Sequence, residues 1–196
     1  MKNAALVLIE TQNEWLAPEG KLQAFIQDRS LFERSVIGIE KALGFARKVR
    51  MPVVYVGLRF KKGYPELANG KAGLRKAIPQ VGTFPENAFG SAFYEPFQPL
   101  ENEFVVSGRT GASGFAGSNL DIYLRTQQIE TLYIAGYATH VCVESTFREA
   151  HDKAYTAVVL SDACAAFNEI QQAYFLKEVV HHFGKAITTE EFTCLD

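Results

Sequence analysis

The segment Asn3 to Glu10 (NAALVLIE) is apolar at nearly every position. A strand with one wet face alternates apolar and polar residues. An unbroken run belongs to a strand covered on both faces, as in a parallel sheet packed between helices. The rest of the chain keeps the matching rhythm. Apolar residues recur at helical spacing from Ser30 to Arg50 (Leu31, Val36, Ile39, Leu43, Ala46, Val49), with Ser30 and Glu33 placed for a capping box. Strands are predicted at Pro52 to Leu58 and, briefly, at Phe104 to Ser107. A helix follows over Ser118 to Gln128, with Ser118 as its cap, then a strand at Thr131 to Ala135 and a helix over Glu144 to Ala154. A strand at Ala157 to Leu160, a helix over Glu169 to His181 and a short strand at Lys185 to Thr188 complete the series. Repeated β-α-β units with right-handed crossovers predict an α/β fold with a mostly parallel sheet. Ligands of such sheets bind beyond the carboxyl ends of the strands, where the strand order switches.

With 196 residues, 47% of them hydrophobic, the chain is expected to be one domain with an ample core. A net charge of −2 argues against a nucleic-acid or anionic-membrane partner. Neither end reads as a signal peptide or lipidation site, and no apolar run is long enough to span a bilayer, so a cytoplasmic location is expected. The three cysteines, Cys142, Cys164 and Cys194, lack CxxC spacing, which fits a reducing compartment and no structural zinc. One stretch breaks the rhythm. Residues 59–102 carry five prolines and seven aromatics, too long for an idle connection and too aromatic for a disordered linker. It reads as an ordered excursion that walls a pocket, packs a subunit interface, or both; local core-building is the plainer alternative.

The chemistry gathers at strand ends. Gly136-Tyr-Ala-Thr-His-Val-Cys142-Val143 joins the strand ending at Ala135 to the helix beginning at Glu144. A thiol at a helix start faces unpaired N–H groups, which lower its pKa and can receive an oxyanion. A buried, inert cysteine is the competing reading. The first strand ends in Glu10, and Arg109 follows the third. Each alone could serve a structural ion pair; together with Cys142 they supply a nucleophile, a base and a cation at one sheet edge.

Three patches resemble the isochorismatase-like cysteine hydrolase superfamily, which includes nicotinamidases and carbamoyl-amide hydrolases. They are Ala5 to Trp15 (ALVLIETQNEW), Val105 to Leu120 (VVSGRTGASGFAGSNL) and Ile134 to Ala150 (IAGYATHVCVESTFREA), with Val158 to Ala163 (VVLSDA) following in register. The resemblance implies a three-layer α/β/α sandwich with a six-stranded, mostly parallel, Rossmann-like sheet. It implies covalent hydrolysis of a small amide or carbamoyl C–N bond through a thioester, with Cys142 as nucleophile, Glu10 as base and Arg109 as charge stabiliser. The oxyanion would meet the backbone N–H groups of Ala138 and Cys142, and the Tyr137–Ala138 peptide would be cis. Trp15 matches the aromatic that ends the family's first motif and is expected as a wall of the substrate pocket, Phe115 matches the family Phe and could pack beside Arg109, and Tyr137 could line the pocket floor; core packing is the alternative for each. A homo-oligomer, dimer or larger, is also implied.

The chain departs from the family pattern at two catalytic positions: Glu10 stands for the usual Asp, and Arg109 for the usual Lys. Glu10 and Arg109 could pair through the guanidinium fork, holding the carboxylate ionised beside the thiol. A firm pair would also make the carboxylate a weaker base. No cofactor and no metal are expected. The histidines that bind metal in the family's nicotinamidases would follow the second strand, where this chain has none, and adjacent His181 and His182 should point apart on their helix. The expected function is cysteine-dependent hydrolysis of a small-molecule amide. The alternatives are a catalytically impaired relative that binds a small carboxylate or amide, and a reactive-thiol protein.

Overall fold

The structure is a computed structural model and describes residues 3–68 and 70–195. Its centre is β1, Ala4–Ile9, six residues that are all buried. β1 pairs in parallel with β2, Val53–Val56, on one side and with β4, Thr131–Tyr137, on the other. The edges are completed by β3, Phe104–Val105, and by β5, Thr156–Ala165, and β6, Gly184–Ile187. The order is β3-β2-β1-β4-β5-β6, and every pairing is parallel. The chain therefore winds outward from β1 to β3, then returns to the far side of β1 as β4. The switch point lies between the carboxyl ends of β1 and β4, where Glu10 and the Cys142 segment emerge.

The two central strands approach closely there. Gly136 pairs with Ile9, and a Cβ on Gly136 would sit 2.0 Å from the Ile9 carbonyl oxygen. Gly136 also has φ +121, a conformation that excludes larger residues. β4 runs two residues beyond the Ala135 expected from sequence, because Gly136 and Tyr137 still pair with Cys164 and Ala165 of β5. β5 in turn continues past Leu160. Ser161 and Asp162 break its apolar run without ending it, since Asp162 accepts hydrogen bonds from the N–H and hydroxyl of Thr189 (both 2.7 Å).

Helices flank the sheet on both faces, giving the α/β/α sandwich. α1, Arg29–Lys48, packs along β5 and against the C-terminal helix through Phe45 and Phe192, an edge-on pair at 5.2 Å. Its cap is Asp28 rather than Ser30: the Asp28 side chain accepts from the N–H groups of Ser30 and Leu31. α2, Gly73–Val81, lies within the excursion, and α3, Leu120–Thr126, follows β3. α4, Glu144–Asp152, and α5, Glu169–Tyr174, pack through Phe147 and the following Phe175. The helix continues from α5 through a π-turn to Phe183, past the His181 expected from sequence. α6, Thr189–Thr193, closes the chain with a capping box between Thr188 and Glu191.

The excursion is pinned to the body by an isolated bridge from Gln12 to Phe93 and closed on itself by one from Phe60 to Pro85, and it buries Phe60, Phe84, Phe93 and Phe97. Among the described residues no helix is long and apolar enough to cross a membrane.

Candidate active site

Glu10 leaves β1 with φ 50 and its N–H bonded to the Val56 carbonyl of β2 at 2.9 Å. That turn directs the carboxylate inward, where 1% of the side chain is exposed. Arg109 Nη2 approaches Glu10 Oε1 at 2.8 Å, and Trp15 Nε1 donates to Glu10 Oε2 at 2.9 Å. All but one of the other N–H groups of the guanidinium fork go to main-chain carbonyls. Nε donates to Gly111 at 3.0 Å and to Ser113 at 3.2 Å, while Nη1 donates to Val56 and Nη2 to Ala112. A lysine has only three donors and no planar fork, so this loop is shaped around arginine. Glu10 Oε1 lies against the cation yet accepts no aligned hydrogen bond among the described residues. It keeps a lone pair free to take a proton.

Cys142 sits in a π-helical turn, Thr139–Val143, that precedes α4, and the Tyr137–Ala138 peptide just upstream is cis. The Cys142 carbonyl accepts from the Thr146 hydroxyl at 2.7 Å, and the same hydroxyl accepts from the Gly114 N–H at 2.9 Å. Thr146 thus ties the cysteine turn to the loop that carries Arg109. The thiol interacts with both partners of the ion pair, and its pKa is raised well above the ordinary thiol value. Burial is the largest cause and the Glu10 carboxylate the next; the Arg109 guanidinium opposes them without prevailing. This reverses the lowered value expected from a helix start. The partial charge of a helix end is modest, whereas desolvation and a neighbouring carboxylate act directly on the sulfur. The resting site therefore holds a neutral thiol beside a carboxylate.

That state has a measurable signature. Iodoacetamide should label the exposed Cys194 first and Cys142 only above the ordinary thiol pKa of about 8.5, as read by peptide mass spectrometry across pH. The linked stability has a definite sign. A thiol whose folded pKa is raised favours the fold fully below the unfolded value, and this contribution is lost as pH rises through the folded one. The urea midpoint should fall between pH 7 and about 10. It should fall less in Cys142→Ala.

The thiol and the carboxylate open onto a cavity of about 230 Å³. Its walls include Trp15, Leu58, Val141 and Phe167, and the excursion adds Thr83, Phe84 and one face of α2 at Leu74, Ala77, Ile78 and Val81. Of the three aromatics expected to line it, Trp15 does so. Tyr137 and Phe115 are not among its lining residues. Tyr137 is fully buried, with its hydroxyl 2.9 Å from the Ser35 hydroxyl and its ring stacked on Phe32 at 4.9 Å. Phe115 is turned to Tyr155, with ring centroids 5.8 Å apart, and the Lys153 ammonium sits over it. Both packing partners come from distant segments, so the direction of each ring depends on tertiary contacts.

The match to the isochorismatase domain model extends over residues 4–191. The chain belongs to the isochorismatase family. It is 30% identical to the ureidoacrylate amidohydrolase of Stutzerimonas stutzeri over 96% of this chain and 80% of that one. It is 32% identical to the ureidoacrylate amidohydrolase of Caulobacter segnis, covering 97% and 84% respectively. Among solved structures, it superposes on a cysteine hydrolase from Pseudomonas syringae pv. phaseolicola with a TM-score of 0.82 at 24% identity, covering 97% and 91% of the two chains. That last likeness concerns the fold.

In this isochorismatase-family chain, three polar residues after Glu10 carry more of the site than their sequence suggested. Gln12 donates to the Leu58 and Ser91 carbonyls and accepts from the Leu58 N–H. Asn13 donates to the Phe89 carbonyl at 2.9 Å. Glu14, which is 2% exposed, accepts from the Lys21 N–H at 2.9 Å and the Phe84 N–H at 3.2 Å. These bonds hold the excursion over the cavity. The signal was an uninterrupted polar triplet between a buried strand and Trp15; buried side chains of these types need partners. Glu14→Ala should orphan the Lys21 and Phe84 N–H groups, cost about 1–3 kcal/mol in urea unfolding, and raise KM more than it lowers kcat.

Among the described residues no three His, Cys, Asp or Glu side chains gather as a metal site. The rings of His181 and His182 lie 4.0 Å apart instead of diverging. His140 stands edge-on to Phe167 at 4.6 Å, its pKa lowered by burial, and is not a lining residue of the cavity.

Proposed function

We propose that this chain hydrolyses a small amide or carbamoyl C–N bond through a thioester on Cys142. The observation that carries this reading is the Glu10–Arg109 pair set against the Cys142 thiol, with Glu10 and Cys142 lining one cavity. As the substrate carbonyl arrives, Glu10 takes the thiol proton and the sulfur attacks, forming a C–S bond and a tetrahedral oxyanion. The Ala138 and Cys142 N–H groups receive that charge. The C–N bond then breaks, Glu10 returns the proton to the nitrogen, and ammonia or an amine leaves. Water, deprotonated by Glu10, attacks the thioester; the carboxylic acid departs and the thiol regains its proton.

Arg109 stabilises negative charge, first on Glu10 and then on the sulfur, and stays protonated throughout. Deprotonating a raised thiol costs energy in the free site. That step takes place in the bound complex, where attack on the carbonyl consumes the thiolate as it forms. The likeness to ureidoacrylate amidohydrolases supports this bond class. A neutral, buried resting thiol argues against a general reactive-thiol role.

The test is release of ammonia and the matching carboxylate from a panel of small primary amides. Equimolar release that disappears in Cys142→Ala is the expected result. Release that persists in that variant would overturn the assignment.

A further inference from the structure

We infer that the site selects neutral amides whose acyl portion is hydrocarbon and rejects amides that carry a carboxylate on that portion. The inference rests on the hydrolytic reading for its chemistry, but its argument concerns the cavity alone. The lining contains no Lys or Arg among the described residues. Its ionisable side chains are Glu10 and Cys142, and its other polar side chain is Thr83. Arg109 cannot serve as a substrate anchor. Glu10 neutralises it, four of its five N–H groups are engaged by Glu10 and by the carbonyls of Val56, Gly111, Ala112 and Ser113, and it is not among the residues that line the cavity. A substrate carboxylate would enter an apolar space with a like charge at its floor and no partner for its own.

The mouth points the same way. Phe25, Leu74 and Val81 line the cavity yet remain 45%, 41% and 39% exposed. Large apolar side chains left open at a cavity rim are covered when a hydrocarbon group enters. The volume sets the size. A dry apolar cavity of about 150 Å³ takes benzene, so about 230 Å³ accommodates one ring or a chain of comparable length together with the amide.

Matched pairs separate the possibilities: hexanamide against adipamate, and benzamide against terephthalamate. Each pair differs by a terminal carboxylate. The expected kcat/KM favours the neutral member by at least about a hundredfold, the upper part of the roughly ten- to two-hundredfold range that a single methylene supplies. Val81→Arg places a cation at the rim, outside the reacting groups, and should narrow that preference by tenfold or more. Equal or better hydrolysis of the carboxylates would overturn this inference and leave the hydrolytic reading standing.

If no amide is turned over, binding decides. Trp15, the chain's single tryptophan, bonds to Glu10 in the cavity wall, so its fluorescence in Cys142→Ala reports occupancy. Tighter binding of hexanamide than adipamate would support the selectivity while the hydrolytic reading fails. Binding of neither, or of adipamate preferentially, would overturn it.

Discussion

Cys142→Ala lowers amide turnover by about a millionfold, the size of effect seen when a nucleophile is removed from a triad-like unit. The substitution deletes the thiol of the cavity wall and little else. Sulfur leaves a small void, and the Glu10–Arg109 pair retains its contacts with Trp15 and the main-chain carbonyls. Substrate affinity should stay within a few-fold of the parent, because the apolar walls are unchanged. Steady-state kinetics together with Trp15 fluorescence read the two quantities separately. A loss of affinity equal to the loss of rate would mean that the cysteine shapes the pocket rather than attacks.

Arg109→Met destabilises the fold by about 3–5 kcal/mol, the range for breaking a buried ion pair. Both side chains are 1% exposed, so removing the cation leaves the Glu10 charge without compensation. The loop carbonyls of Gly111, Ala112 and Ser113 lose their donors at the same time. Glu10→Gln alone also costs stability, since the guanidinium then lacks its counter-charge. The double variant, Glu10→Gln with Arg109→Met, should recover part of both losses, because it buries no unpaired charge. Urea unfolding of the four proteins measures the coupling. Simple additivity would show that the pair does not act as a unit. Turnover follows another pattern: every variant lacking the Glu10 carboxylate should lose about 10²–10⁴ in kcat, the contribution of a general base.

The layered α/β architecture was legible because β1 is apolar throughout and helices return at regular intervals. The meeting of Glu10, Arg109 and Cys142 was legible because each follows a strand of one parallel sheet. What escaped is partly local and partly set by distant contacts. Asp28 outcompetes Ser30 as a cap through its own geometry at the helix entry. α2 was hidden by Pro79, which sits inside a helix otherwise marked by Leu74, Ile78 and Val81. The sign of the Cys142 shift could not be read from a helix-start rule, since it is set by how deeply the fold buries the sulfur beside Glu10. The rings of Phe115 and Tyr137 turn from the cavity toward Tyr155 and Phe32, partners tens of residues away.

The most direct test is to mix the protein with p-nitrophenyl hexanoate, an activated acyl donor, and map the adduct by mass spectrometry. The account predicts one hexanoyl group per chain on the Cys142 peptide, released by neutral hydroxylamine, transient in the parent and long-lived in Glu10→Gln. An unmodified Cys142, or acylation confined to the exposed Cys194, would contradict it.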